Sequence, residues 1–277
     1  MKSRFVLDFF LAHNYLSFID FSFKITRVIV EEKMSKDRLV PVLKTNNRRL
    51  NFDFYVEQIG FTVLLEDAGV ASLGDAQKAL CLEIEELPAN RALQPKGKKK
   101  LDLMVFRVKS SETVEAALAR GLKFDELYQG PKGWAYLAIS PEGDRILVHA
   151  EESFADLKLV EQVNYPETFQ AGPAKLDQVE LEELHFHVSN KEKSETFYQR
   201  LSWPTSLIFT EAESDYLSVA AGQTWDLFQL RLFQADWNLE ELQTSLTDQE
   251  IFVPKRGNFL LAEDPHNHLE WWIQEHA

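Results

Sequence analysis

The stretch Asn47-Arg48-Arg49-Leu50-Asn51-Phe52-Asp53-Phe54-Tyr55 decides the fold, because it returns as Asn190-Lys191-Glu192-Lys193-Ser194-Glu195-Thr196-Phe197-Tyr198. An apolar run precedes each copy (39–43 and 184–188), and a short apolar-aromatic stop follows each, Ile59-Gly60-Phe61 and Leu201-Ser202-Trp203. The ends also echo. Ser140-Pro141-Glu142-Gly143 leads into Ile146-Leu147-Val148 much as Asp264-Pro265-His266-Asn267 leads into Leu269-Glu270-Trp271. Repetition on this scale means two copies of one folding unit, and function is to be sought where the copies differ.

Each copy divides again. In the first, a strand around 40–45 enters a helix over 48–59, with Leu50, Phe54 and Ile59 as its buried stripe and Gly60 as its stop. Strand-like runs follow at 62–65, 70–73 and 79–84. After a polar loop over 88–100 the order restarts with a strand at 103–108 and a helix at 111–120 that Ser111 would cap. Strands at 126–128, 134–139 and 145–149 complete it. The second copy predicts a strand at 183–188, a helix at 191–201 and strands at 206–209 and 216–220. It restarts with a strand at 227–233, a helix at 237–246 and strands at 250–252, 258–262 and 269–273. Prolines and a glycine break the chain at 164–173. The expectation is an α+β protein with tandem domains at 36–150 and 180–277 and a linker at 151–179. Each domain is two paired βαβββ modules, curled into a half-open barrel whose concave face holds a ligand or metal.

Composition narrows the partners. Acidic residues outnumber basic ones 44 to 30, and a formal charge of −14 repels phosphate backbones, so nucleic acid is not an expected partner. The basic run Lys96-Gly97-Lys98-Lys99-Lys100 reads as a solvated loop. The single cysteine, Cys81, rules out an internal disulfide framework and sits in an apolar run as a small hydrophobe. Residues 1–35 read as an extension outside the folded chain. Asp8, His13 and Asp20 interrupt an apolar stretch that is too polar for a secretory signal or a membrane span, and Met34 is the expected natural start. That points to a cytoplasmic protein with no membrane partner.

The strand-helix-strand order, the Asn-initiated helix with its Phe-Tyr pair, and the Asp-Pro or Ser-Pro turn before the last strand resemble the vicinal oxygen chelate superfamily of glyoxalases and extradiol dioxygenases. The run 42–51, the degenerate second half and the Trp271-Trp272 end are similar to the CppA family of streptococci. That family is named as a proteinase acting on the third complement component. The resemblance implies complement degradation, hence surface or extracellular release, and it implies a metal site on fixed strand positions.

In the first copy those positions fall on Val40, Leu103 and Leu147, none of which binds a metal. In the second copy, alternation puts Glu183, His185 and His187 on one strand face, and the last strand adds Glu270 with His268 two residues before it. Such a set suits one divalent zinc, iron or manganese ion in the second domain. The same residues also suit the hydrated lining of a curved sheet. Asp226 and Trp271 are the expected pocket residues beside them. Peptidase machinery is not legible: there is no Gly-x-Ser-x-Gly elbow and no His-Glu-x-x-His helix, and His266-Asn267-His268-Leu269-Glu270 lies on a turn and strand. Three readings stay open: the proteinase that the resemblance implies, a metal-dependent lyase or dioxygenase, and a non-catalytic protein that binds a small molecule or a partner. Oligomeric state stays open as well.

Overall fold

The computed structural model describes residues 36–67, 69–161, 172 and 175–276. The expected extension at 1–35 and most of the linker core at 164–173 lie outside them. Strand β1 (Arg38–Thr45) is the buried apolar run before the first repeat. Asn47 then caps helix α1, its side-chain oxygen accepting the Leu50 N–H at 3.1 Å. Helix α1 runs from Arg48–Phe52 into a wider π-helical stretch over Asp53–Ile59, where the Gly60 N–H reaches back to the Tyr55 carbonyl. Gly60 ends it at φ +104°, a left-handed value that glycine adopts without strain. Phe54 and Ile59 are buried as expected and Tyr55 joins them, but Leu50 is 53% exposed and Asn51 takes the inward position. The reason is a tether. The Asn51 amide donates to the Asn47 carbonyl (2.9 Å) and to the Glu142 carboxylate (3.2 Å), tying the helix to the turn of the next module.

The later elements follow the expected order. They are β2 (Thr62–Asp67), β3 (Val70–Gly74), β4 (Leu80–Glu86), β5 (Leu101–Arg107), helix α2 (Ser111–Ala119), β6 (Glu126–Gly130), β7 (Gly133–Ile139), β8 (Arg145–His149) and the short β9 (Lys158–Leu159). Ser110, not Ser111, caps α2. The second half has β10 (Glu180–Val188), helix α3 (Lys191–Tyr198), β11 (Ser206–Glu211), β12 (Leu227–Gln234), helix α4 (Leu239–Ser245), β13 (Ile251–Phe252), β14 (Phe259–Asp264) and β15 (Leu269–Glu275). Asn190 caps α3 as Asn47 caps α1, and Ser194, the counterpart of Asn51, reaches Asn267 in the following turn. The strand expected at 216–220 is instead a single 3-10 turn, Asp215–Ser218, started by the Ser214 side chain.

Pairing between modules is where the architecture departs from a simple tandem. One sheet has the order β13-β14-β15-β12-β1-β4-β3-β2, the other β11-β10-β5-β8-β7-β6-β9. Strand β1 lies antiparallel to β12, and β5 antiparallel to β10. The first and last modules therefore share one sheet, the two middle modules share the other, and each half of the chain builds into both. In every module the last strand runs parallel to the first: β4 to β1, β8 to β5, β15 to β12. Strand β11 runs parallel to β10, so the third module passes from its helix directly to the closing strand and lacks the two between.

Alternation sorts the side chains. Leu43, Leu82, Ile84, Leu230, Leu232, Trp271 and Ile273 of the first sheet join Tyr55, Phe106, Tyr136, Phe186 and Tyr198 in one continuous core. A separate small apolar cluster, Leu103, Val105, Leu137 and Leu147, is packed by Tyr128, Phe154 and Leu157. In the first sheet, the face opposite the core carries polar side chains beside Val40, Val42 and Trp272.

Candidate functional site

Register builds that polar face. Val42 at the centre of β1 pairs with Glu83 on β4 and with Gln229 on β12, and Gln229 pairs with Glu270 on β15. The four positions form one row across four strands. Because β1 and β12 are antiparallel, the row has approximate two-fold symmetry: Glu83 answers Glu270, and Lys44 answers Arg231. Side-chain contacts run along it. The Arg231 guanidinium lies 2.5 Å from a Glu83 oxygen and donates through Nε to Gln229 Oε1 at 2.7 Å. The Gln229 amide then donates to Glu270 Oε2 at 2.9 Å. Ser72 donates to the other Glu83 oxygen at 2.7 Å, and Lys44 pairs with Glu85 at 2.5 Å. Aromatic rings back both cations, Trp272 under Arg231 at 5.3 Å and Phe228 under Lys44 at 4.2 Å. Burial pushes the Glu270 carboxyl above its usual range, against the opposing pull of the Gln229 hydrogen bond and the Lys44 charge.

Loops reach this face. The Trp225 indole donates to the Leu87 carbonyl, and the Leu93 N–H donates to the Gln223 carbonyl. Gly222 passes over Lys44 at φ +73°, where a β-carbon would stand 3.3 Å from Lys44 Cε.

The expected ligand set is divided between the sheets. Glu183, His185 and His187 lie on β10 of the second sheet, whereas Glu270 lies on β15 of the first. His185 is engaged by Glu183 at 2.6 Å. His187 Nδ1 meets the Lys99 carbonyl at 2.9 Å, and its Nε2 lies 3.7 Å from Asp102. The strand neighbours of His185 are Leu103 and Ile208, which bring no second carboxylate beside it. His268 sits at a positive φ in the turn, 3.7 Å from Glu263. Among the described residues, no group of three or more imidazoles, carboxylates or thiols converges as a metal would require. The residues present do not fit the metal that the fold implies.

The two expected pocket residues have other surroundings. Trp271 is wholly enclosed on the core face, between Phe197, Tyr198 and Trp203 at ring distances of 4.7–5.1 Å. A one-residue step along β15 gives the polar face to Trp272 instead. Asp226 is a buried joint between the sheets: its carboxylate accepts the N–H groups of Lys100 (2.6 Å), Leu101 (3.1 Å) and Leu227 (2.8 Å). Beside it the Lys100 amine, pushed down to about 8 by burial, donates to the Val219 and His268 carbonyls. Sequence reasoning missed Glu83, Gln229 and Arg231. One signal for Glu83 was in reach: Leu82-Glu83-Ile84 closes the first module as Leu269-Glu270-Trp271 closes the last.

A second buried polar group lies outside this row. His149 on β8 is fully buried, 2.9 Å from a Glu182 oxygen, and the other Glu182 oxygen accepts the Phe154 N–H. Burial, with Arg107 and Lys132 nearby, pushes His149 down to about 4. The fold thus favours the neutral imidazole. This contribution is complete above the unfolded value near 6.5 and is lost as pH falls from there toward 4, about 3 kcal/mol at most. Glu182, whose carboxyl burial pushes up, takes up its proton more readily and offsets part of that loss. His149→Gln is expected to flatten the stability profile between pH 7 and 5, as measured by urea unfolding at both.

Two sheets built from βαβββ modules, the third of them shortened, give this chain a glyoxalase-type fold. The chain belongs to the CppA family. The CppA N-terminal family matches residues 39–160 and the CppA C-terminal family matches residues 176–273. The crystal structure of the cppA protein from Streptococcus pneumoniae TIGR4 is 34% identical with a TM-score of 0.73, over 86% of this chain and 97% of that one. Glyoxalase I from Zea mays shares the fold at 12% identity and a TM-score of 0.51, over 87% and 93% of the two chains. A mutant of that enzyme gives 13% and 0.53, over 87% and 94%. Among curated proteins none matches. No helix of the described residues is long and apolar enough to cross a membrane.

Proposed function

We propose that this chain is a binding protein of glyoxalase-type fold whose polar first-sheet face takes a small molecule carrying both charges, such as an amino acid or a short peptide. The observation that supports this is the run of contacts Glu83–Arg231–Gln229–Glu270 on the face opposite the core, in which a cation and an amide stand between two carboxylates. A zwitterion complements such a row, and rigid pairing lowers the cost of ordering the site. The row's charged groups are held by one another and the Ser72 hydroxyl donates to Glu83, a fixed arrangement that supports binding of a ligand.

The test is three-armed and uses the purified chain. Thermal shift against free amino acids and glutathione is expected to show stabilisation that Glu270→Gln removes. Incubation with the third complement component is expected to leave it intact. With added zinc, iron or manganese, no turnover of catechol or of the methylglyoxal–glutathione hemithioacetal is expected. Cleavage or turnover that depends on Glu270 would overturn the reading in favour of the proteinase or the metal-dependent enzyme.

Glu270→Gln carries a stability prediction of its own. A carboxyl pushed up by burial adds stability below its unfolded value near 4.5 and loses it as pH rises through the folded value. At pH 7 the variant is therefore expected to equal or exceed the wild type, by up to about 1 kcal/mol in denaturant unfolding.

A further inference from the structure

We infer that β11 is a docking edge for a second copy of this chain: the two β11 strands pair antiparallel about a two-fold axis at Ile208 and join two seven-stranded sheets into one. The edge belongs to the second sheet and the proposed binding row to the first, so failure of the amino-acid panel leaves this inference standing.

Three observations carry it. The first is a break in the module plan. The closing strands β4, β8 and β15 each have an antiparallel neighbour on their outer side, β3, β7 and β14. Strand β11 closes the third module, and among the described residues no strand lies on its outer side. The second is backbone direction. The Ala212 N–H, just past β11, donates to the Val188 carbonyl of β10 at 2.9 Å. Backbone groups alternate sides along a strand, so Leu207, Phe209 and Glu211 turn their N–H and C=O groups away from β10, toward that open side. The third is a lack of the usual protection. The other sheet edges are blunted: β13 and β9 are two residues long, β9 carries Lys158, and the pairing of β2 with β3 is broken between Val63 and Leu65. Strand β11 has six residues, pairs with β10 without a bulge, and holds no lysine or proline.

Self-complementarity identifies the occupant. With Ile208 opposite its own copy, Leu207 stands opposite Phe209, Ser206 opposite Thr210, and Thr205 opposite Glu211. Apolar residues meet apolar ones, polar residues meet polar ones, and the two Glu211 carboxylates lie at opposite ends of the junction. A shift of the axis to Phe209 would instead set Glu211 against Leu207 and Ile208 against Thr210. One two-fold register that suits every side chain is the mark of an isologous contact, in which a patch is its own partner. A strand from another protein needs no such internal match. The central pair is of the narrow kind without direct hydrogen bonds, because Ile208 turns its backbone toward β10 while Leu207 and Phe209 face across. Side chains approach most closely at such pairs, and Ile208, 37% exposed in the single chain, is covered there by its twin.

The experiment is sedimentation velocity of the full chain from about 5 to about 300 µM in about 0.5 M salt, which screens the repulsion between two copies of formal charge −14. One strand pair with its flanking side chains is a small interface, so a dimer with a dissociation constant of roughly 10–100 µM is expected. Ile208→Lys sets like charges face to face on the axis. It is expected to weaken dimerisation at least about tenfold, with a melting temperature within about 2 °C of wild type. Ile208→Cys reads the register. Its thiols, opposed on the axis, lie within disulfide reach and are expected to cross-link under mild oxidation, whereas those of Thr210→Cys are held apart and are not. The native Cys81 is buried and takes no part. A wild-type chain that stays monomeric over this range overturns the inference and leaves the edge to a strand of another protein. A dimer that survives Ile208→Lys overturns it, as does cross-linking of Thr210→Cys to the same extent as Ile208→Cys. Should Ile208→Lys not fold, the cysteine variants decide: absence of a cross-link in Ile208→Cys overturns the inference.

Discussion

Asp226→Ala is expected to lower the free energy of unfolding by about 3–5 kcal/mol, among the largest single-residue effects in the chain. The side chain is buried where β5 of one sheet and β12 of the other begin, and it accepts three backbone N–H groups there, from Lys100, Leu101 and Leu227. Truncation leaves those donors in a site that water does not reach, at about 1–3 kcal/mol for each unsatisfied group, partly relieved by relaxation. The Lys100 amine loses a compensating charge as well, having already been pushed down by burial. Asp226→Asn separates the contributions. It keeps one acceptor oxygen, removes the charge that burial disfavours, and is expected to retain about half of the lost stability. Equilibrium urea unfolding at pH 7 measures both. A loss under about 1 kcal/mol for the alanine variant would show that Asp226 does not join the sheets.

Trp271→Ala is the second. The indole is fully enclosed and contacts three aromatic rings, of which Phe197 and Tyr198 are the repeated pair on α3 and Trp203 is the stop that follows it. Removing it strips the packing that holds α3 against the first sheet and leaves a cavity too large to collapse, at about 3–5 kcal/mol. Trp271→Phe keeps a ring in the site and is expected to cost less than half as much. Thermal unfolding is expected to show a fall of roughly 10 °C or more for the alanine variant. The same test bears on function. A ligand-facing tryptophan would alter ligand-induced shifts without a comparable loss of stability, whereas this one is expected to do the reverse.

How much of this was legible follows from what periodicity encodes. Strand and helix order came through because apolar spacing and cap residues are local. Asn47 and Asn190 announced both repeat helices, and Gly60 announced a stop. Which first strands lie side by side is not local, so β1 beside β12 and β5 beside β10 could not be read from spacing. That gap broke up the expected site: His185 and Glu270 belong to one half of the sequence but to different sheets. Glu83 hid inside an apolar run where one polar residue reads as an interruption, yet alternation turns it to the face opposite Leu82 and Ile84. The strand expected at 216–220 failed for a simpler reason. Tyr216 and Leu217 have strand-like side chains, but the Ser214 hydroxyl accepts the Tyr216 N–H and starts a tight turn.

The exchange of modules between the sheets bears on how the chain assembles. Arg38 lies opposite Phe233, and Glu180 opposite Arg107, so neither sheet can close until both halves have been synthesised. A half made alone would leave β1 and β5 as open, apolar strand edges, the kind of surface on which chains aggregate. Contacts so distant in sequence make for slow folding. The same geometry makes the halves natural complementation partners. Residues 36–160 and 176–276, produced as separate polypeptides, would each supply what the other lacks, and their union would restore both sheets without a covalent join.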